Sequence, residues 1–253
     1  MQLKHFYLAL DENDYHIQSN DKSEKKYNND KIVSDFNFQT DYFTHFIEMN
    51  LRKLKYETES YNMLLLRAKK KPSDFFSIEP EFKSLTIEVF FDENKYEKLY
   101  PFKNEYPLNG KLLKPIEDEN LFHVFLFNII NEGLDKGKKL NAPIPYWQLK
   151  EIVLDFKNKN FQNEWMFKSK IFKDLNIKVS LYCRLTINYF TLEIIIEKNK
   201  IVVLKKEILR TLPSSIMYNH EFKDIIFESG KIKVMKDRFE PSTLYEVSLD
   251  SLI

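Results

Sequence analysis

Three short acidic runs are the first residues in this chain whose types and spacing point to chemistry. Asp11, Glu12 and Asp14 follow one apolar stretch, Asp92 and Glu93 follow another, and Glu117, Asp118 and Glu119 precede a third. Carboxylates grouped this way serve two ends. They cap turns and helix N-termini, because a short acidic side chain accepts hydrogen bonds from nearby backbone N–H groups. They also form surfaces that steer a basic partner into place. The eight residues are therefore the candidate partner-binding set, with capping as the competing account. Asp11-Glu12-Asn13-Asp14-Tyr15 and Asp92-Glu93-Asn94-Lys95-Tyr96 are alike, and the likeness reads as one turn chemistry used twice.

Other chemistries find little footing. Phosphate and dinucleotide loops need clustered glycines so that backbone can approach the ligand, and the chain has four glycines: Gly110, Gly133, Gly137 and Gly230. The run from Gly133 to Lys139 looks like a phosphate loop, but it is one residue short, lacks a Ser or Thr after its lysine, and follows a helix. It reads as that helix's C-terminal end. The five histidines, His5, His16, His45, His123 and His220, form no metal-binding pair. His123 lies in the most apolar stretch and reads as a core histidine; a buried general base is the alternative. Asp74 with Glu81-Phe82-Lys83, and Glu221-Phe222-Lys223, match the residue types of a metal-dependent nuclease. Such tripeptides arise by chance in a chain this rich in Glu and Lys. Cys183 is the single cysteine, so no intramolecular disulfide forms and the usual zinc sites want more ligands. No catalytic residue, metal ligand or cofactor is assigned.

Charge narrows the partners. Lys and Arg number 39 against 38 Asp and Glu, without the basic excess of a nucleic-acid binder. No nucleic acid is expected, and no membrane, because no apolar stretch approaches the ~18 residues of a spanning helix. Met1–Tyr15 lacks the long apolar core of a signal peptide. A cytoplasmic protein is expected.

Elements to hold these residues are legible in places. From Ile177 to Ile187 every second residue is apolar, the period of a half-buried strand. Phe190–Ile196 alternates likewise, Lys198-Asn199-Lys200 reads as a tight turn, and Glu164–Phe172 puts Trp165, Phe167 and Ile171 on one face. Together they predict an antiparallel meander over about 162–208. Ile225–Phe227 and Ile232–Val234 pair around Ser229-Gly230, and Leu244–Leu249 is a further strand. Helices are expected at about 41–54, 120–134 and 145–158, the last two covering the meander. Leu3–Leu10, Tyr61–Ala68 and Leu85–Phe91 read as strands, and Ser19–Asp30 as a loop. The fold class is α+β with a mostly antiparallel sheet packed against a few helices. The chain is one domain over 1–253, with a possible subdomain boundary near 103–118 between parts 1–110 and 116–253.

The stretch from Phe161-Gln162-Asn163-Glu164-Trp165 through Leu181-Tyr182-Cys183-Arg184-Leu185 to Ile208-Leu209-Arg210-Thr211-Leu212-Pro213, together with the Lys-, Asn- and aromatic-rich composition, resembles the immunity proteins of bacterial polymorphic and contact-dependent toxin systems. The resemblance implies a cytoplasmic protein that binds a cognate toxin and occludes it. Two alternatives stand beside it: an enzyme whose acid–base site is assembled from distant residues, and a structural or oligomeric interaction protein of a mobile element.

Overall fold

The computed structural model describes residues 1–14, 24–100, 116–237 and 242–252. They form two compact units, Met1–Phe161 and Gln162–Ile253. The α+β class holds: the long helices lie in the first unit, and the second is built almost wholly from antiparallel strands. The segment near 103–118 falls within the first unit, and its residues 103–115 lie outside the described residues.

The first unit is a mixed sheet in the order β1-β2-β4-β3, made of β1 (His5–Leu10), β2 (Met63–Lys69), β3 (Phe76–Glu79) and β4 (Ser84–Phe90). β1, β2 and β4 run parallel, and β3 lies antiparallel on the edge. Parallel neighbours need a crossover, and α1 (Glu24–Leu54) supplies the one between β1 and β2. The register lines up Phe6, Leu64 and Leu85, then Leu8, Leu66 and Ile87, then Leu10, Ala68 and Val89. All nine side chains are buried. Fully burying side chains of this kind contributes about 1.5–3 kcal/mol each, least for the alanine.

Helix α1 begins at Glu24, well before Asp41, so it includes the second half of the expected 19–30 loop. Its inward face explains why the sequence concealed it: Asp35, Gln39, Thr40 and Thr44 are buried there among Ile32, Phe36, Phe43 and Ile47. Polar residues at helical spacing on the core side break the apolar periodicity on which a helix is recognised. Their side-chain oxygens find partners. The Tyr100 hydroxyl donates to Asp35 at 3.1 Å and the Tyr96 hydroxyl to Gln39 at 2.8 Å, while Thr40 donates to the Leu8 carbonyl at 3.1 Å. Tyr96 lies on α2 (Glu93–Leu99), a helix not expected from sequence, and Tyr100 follows it directly.

Helices α3 (Glu119–Lys139) and α4 (Tyr146–Asn158) appear where periodicity places them. Both lie in the first unit, where α3 packs on β2 and β4. Nor does α3 stop at Gly133. It runs through Gly133 and Gly137, both buried, to Lys139. The two glycines sit one turn apart on the sheet-facing side. A Cβ on Gly133 would come within 2.8 Å of Leu66 Cδ1 and Val89 Cγ1, and one on Gly137 within 2.7 Å of Ile87 Cδ1. Close helix-on-sheet approach, not helix termination, accounts for both.

The second unit carries the expected meander as β5 (Asn163–Phe172), β6 (Ile177–Leu185), β7 (Phe190–Lys198) and β8 (Ile201–Thr211), in that order across the sheet. A second sheet, β11-β10-β9, is formed by β9 (Asp224–Glu228), β10 (Lys231–Met235) and β11 (Thr243–Ser248). The turn between β9 and β10 places Ser229 at φ 51° and Gly230 at φ 74°, the pair of positive values that a two-residue hairpin of matching twist demands. A short helix, α5 (Ser215–Tyr218), links the sheets.

The inner face of the meander is Val179, Leu181, Cys183, Leu192, Ile194 and Ile196, all buried. Phe190 stacks on Tyr218 at 3.9 Å and lies 5.7 Å from Phe222. The second sheet covers this face. Lys170 Nζ donates to the Ile225 carbonyl at 2.8 Å, Lys168 pairs with Asp224 at 2.8 Å, and Lys206 sits 5.0 Å from the Tyr245 ring.

A bulge corrects the reading of β5. Met166 pairs with Tyr182 and Lys168 with Leu181, so Phe167 is the extra residue. An extra residue inverts the faces beyond it. Trp165 therefore points inward while Ile171 is 64% exposed on the opposite side. Two more bulges, at Val203 and Ile208, interrupt edge strand β8.

Candidate functional site

The carboxyl ends of the parallel strands carry a polar cluster tied by ion pairs. Asp11 follows β1, Lys69 ends β2 and Glu88 lies on β4. Parallel pairing of all three strands brings these ends together. Lys69 Nζ sits 3.1 Å from Asp11 Oδ2 and 3.1 Å from Glu88 Oε1, bridging two carboxylates that are 5% and 17% exposed. The next residue repeats the arrangement: the Lys70 N–H donates to Asp14 Oδ2 at 2.7 Å, and Lys70 Nζ pairs with Glu93 at 2.9 Å.

Burial pushes the carboxyls of Asp11 and Glu88 up, and hydrogen bonds overcome it. Asp11 accepts from the Asn13 N–H and from Lys69, Glu88 from Ser73 and Lys69, and both end below their ordinary values. Lys69 is raised, first by its bond to Glu88. All three are charged at neutral pH.

The structure thus joins Asp11, Glu12 and Asp14 to Asp92 and Glu93, from segments some eighty residues apart. Each has local work as well. Asp11 Oδ1 accepts from the Asn13 N–H at 2.9 Å, and Asp92 caps α2 by accepting from the Lys95 N–H at 3.0 Å. The two similar pentapeptides are the same device: an aspartate that turns the chain after a parallel strand. Glu117, Asp118 and Glu119 start α3, where Asp118 accepts from the Leu121 N–H at 3.0 Å. The glycine contacts show that α3 runs antiparallel to β4, so this third run faces the same end of the unit. Phe122 and Phe125, in its first two turns, lie 6.0 and 6.1 Å from Tyr96. Glu12, Glu117 and Glu119 are exposed.

Lys69, Lys70 and Glu88 escaped sequence reasoning. Their signal was the Lys69-Lys70-Lys71 run ending an apolar strand, but nothing local reveals that the strand lies between two parallel neighbours.

His123 is a core histidine. Its Nδ1 lies 2.6 Å from the Tyr42 hydroxyl, and its ring stacks on Phe161 at 4.7 Å. Burial lowers its pKa to about 4 and raises that of Tyr42, so the pair is neutral at physiological pH. Cys183 is buried on the meander's inner face, where desolvation pushes its thiol up. Of the nuclease-like tripeptides, Glu81 and Lys83 lie in the turn before β4, where Lys83 has φ 52°, and Glu221 and Lys223 are engaged in ion pairs with Lys236 and Asp237.

The outer face of the meander is the second candidate surface. It holds the cross-strand rows Glu164–Arg184–Thr191–Arg210, Met166–Tyr182–Glu193–Glu207, Ser169–Ser180–Ile195–Lys205 and Ile171–Lys178–Glu197–Val202. Ion pairs knit it: Glu164–Arg184 at 3.0 Å, Glu193–Lys205 at 3.3 Å, Lys178–Glu197 at 3.2 Å, and a two-pronged Arg210–Glu207 contact at 2.8 and 2.7 Å. Arg210 also lies 4.2 Å over the Tyr189 ring. A groove of about 230 Å³ lies between the arginines, and one of about 540 Å³ lies beside Ile171 and Lys178.

No protein-family model, curated protein or solved structure matches the chain. No helix among the described residues is long and apolar enough to cross a membrane, and no group of three metal-ligating side chains occurs among them.

Proposed function

We propose that the chain is a binding protein that neutralises a cognate bacterial toxin by occluding it, presenting the acidic end of the first unit to a basic surface on the toxin. The observation that carries this reading is the convergence of acidic runs from distant parts of the sequence on one end of the sheet. Lys69 and Lys70 hold Asp11, Glu88, Asp14 and Glu93 in place. The surface is therefore ordered before a partner arrives, which lowers the ordering cost of binding. Complementary charge speeds encounter and rejects wrong partners.

The test is co-expression with the product of the adjoining reading frame in cells that this product kills. Survival with the wild-type chain and a stoichiometric complex are expected. Glu12→Lys combined with Glu93→Lys slows association about tenfold or more at low salt, with little change in high salt. A harmless neighbour, or a complex indifferent to these substitutions, overturns the reading.

One observation favours an acid–base enzyme as the second reading. Lys69 stands between two carboxylates at the carboxyl ends of parallel strands, where open α/β sheets hold ligands. A ligand there shifts the thermal midpoint of the wild type and not of Lys69→Met. Equal shifts in both remove this reading.

A further inference from the structure

The outer face of the meander is complementary to itself. Its large side chains are open: Ile171 is 64% exposed, Val202 54% and Met166 53%. Glu164, Arg184 and Arg210 are each about half exposed. The positive and negative groups are arranged so that one symmetry operation matches them.

Consider a two-fold axis in the plane of contact, parallel to the strands and over the seam between β6 and β7. It sets β5 against β8 of the copy and β6 against β7, keeping each row in register. Glu164 then meets Arg210 of the copy, and Lys178 meets Glu197 of the copy. Ile171 meets Val202, and Tyr182 can donate its hydroxyl to Glu193. Every such contact occurs twice, as an isologous interface requires. Lys178 and Glu197, already 3.2 Å apart within one chain, become a closed ring of four alternating charges around the axis. Glu164 and Arg210 extend their own pairs into Arg184–Glu164–Arg210–Glu207 chains across the interface. A perpendicular in-plane axis instead sets Arg184 against Lys178, so charge selects one geometry. Facing sheets stand about 10 Å apart, a gap that Glu and Arg span together.

We propose that this face pairs with the same face of a second copy, forming a two-fold dimer with aligned sheets. Four strands and some nine residues per strand give a footprint of roughly 19 by 30 Å. That is the low end of specific interfaces, and it corresponds to a reversible dimer. The charged contacts weaken with salt. The proposal is independent of the toxin-binding reading, which uses the first unit.

The test is sedimentation of the full chain at rising concentration, up to roughly 0.5 mM for an interface of this size. The wild type moves from monomer to dimer, and less so in high salt. Glu164→Arg and Arg210→Glu are each monomeric, because each sets like charges against one another in a self-pair. An equimolar mixture of the two dimerises again, because both cross-contacts are then opposite in sign. Lys178→Glu and Glu197→Lys form a second such pair, and circular dichroism confirms that each variant is folded. A wild type that stays monomeric, variants that dimerise as well as the wild type, or mixtures that stay monomeric would overturn the proposal.

Discussion

A single proton acceptor in the first unit sets one measurable property. Folded His123 stays neutral until about pH 4, whereas in the unfolded chain it titrates near 6.5. Below that value the unfolded state takes up a proton that the folded state refuses, so stability falls as pH drops from 6.5 toward 4. At pH 5.5 the loss is roughly 1.4 kcal/mol. Asp11 and Glu88, held below the ordinary carboxylate range, lose their contributions only further down. Urea unfolding of the wild type at pH 7 and pH 5.5 is expected to differ by this amount. His123→Gln, which keeps a polar group near Tyr42 without a titrating ring, is expected to abolish most of the difference. At this scale the sequence was informative about type: His123 sits in the most apolar helix, Cys183 on an alternating strand, and Asp118 ahead of a helix. It was silent about partnership, since Tyr42 is 81 residues from His123 and Lys69 is held by acids from two other segments.

Periodicity found the elements whose faces differ and missed those whose faces do not. β6 and β7 were legible because their inner residues are apolar and their outer ones polar. The first half of α1 was not, because Asp35 and Gln39 occupy core positions. β5 was legible as a strand, but its facing was not, because one unpaired residue at Phe167 reverses it. Parallel order left no local trace either, since pairing partners are chosen by the crossover and not by the strand. The glycines of α3 show the same gap between local and tertiary causes. A glycine inside a helix costs about 1 kcal/mol relative to alanine, so local propensity alone favours Gly133→Ala. The 2.8 Å approach to Leu66 and Val89 reverses the sign. Gly133→Ala is expected to destabilise the chain by roughly 1–3 kcal/mol through overpacking, read as a lowered thermal midpoint. Enlarging the space with Val89→Ala should recover part of the loss in the double variant.

On the scale of the whole chain, the two units differ in kind. The first closes a helical layer on a mixed sheet; the second buries its core between two antiparallel sheets. The second has its own aromatic centre in Phe190, Tyr218 and Phe222, and its pairings are all between strands near in sequence. Residues 162–253 are therefore expected to fold alone, with a β-type circular dichroism spectrum and one cooperative denaturant transition. A fragment with no such transition would mean that its core is incomplete without the first unit.

The interrupted edge of the meander has a consequence for what the chain does in a crowded cell. An open eleven-residue strand rich in Ile, Val and Leu, Ile201–Thr211, is the kind of segment onto which further strands add without limit. At Val203 and again at Ile208 the ladder carries one residue too many, so the outward row of N–H and C=O groups falls out of step twice within its length. An incoming straight strand finds only short stretches in phase. Strand addition is hindered along this edge, and in the proposed face-to-face dimer two copies close on each other and growth stops at two.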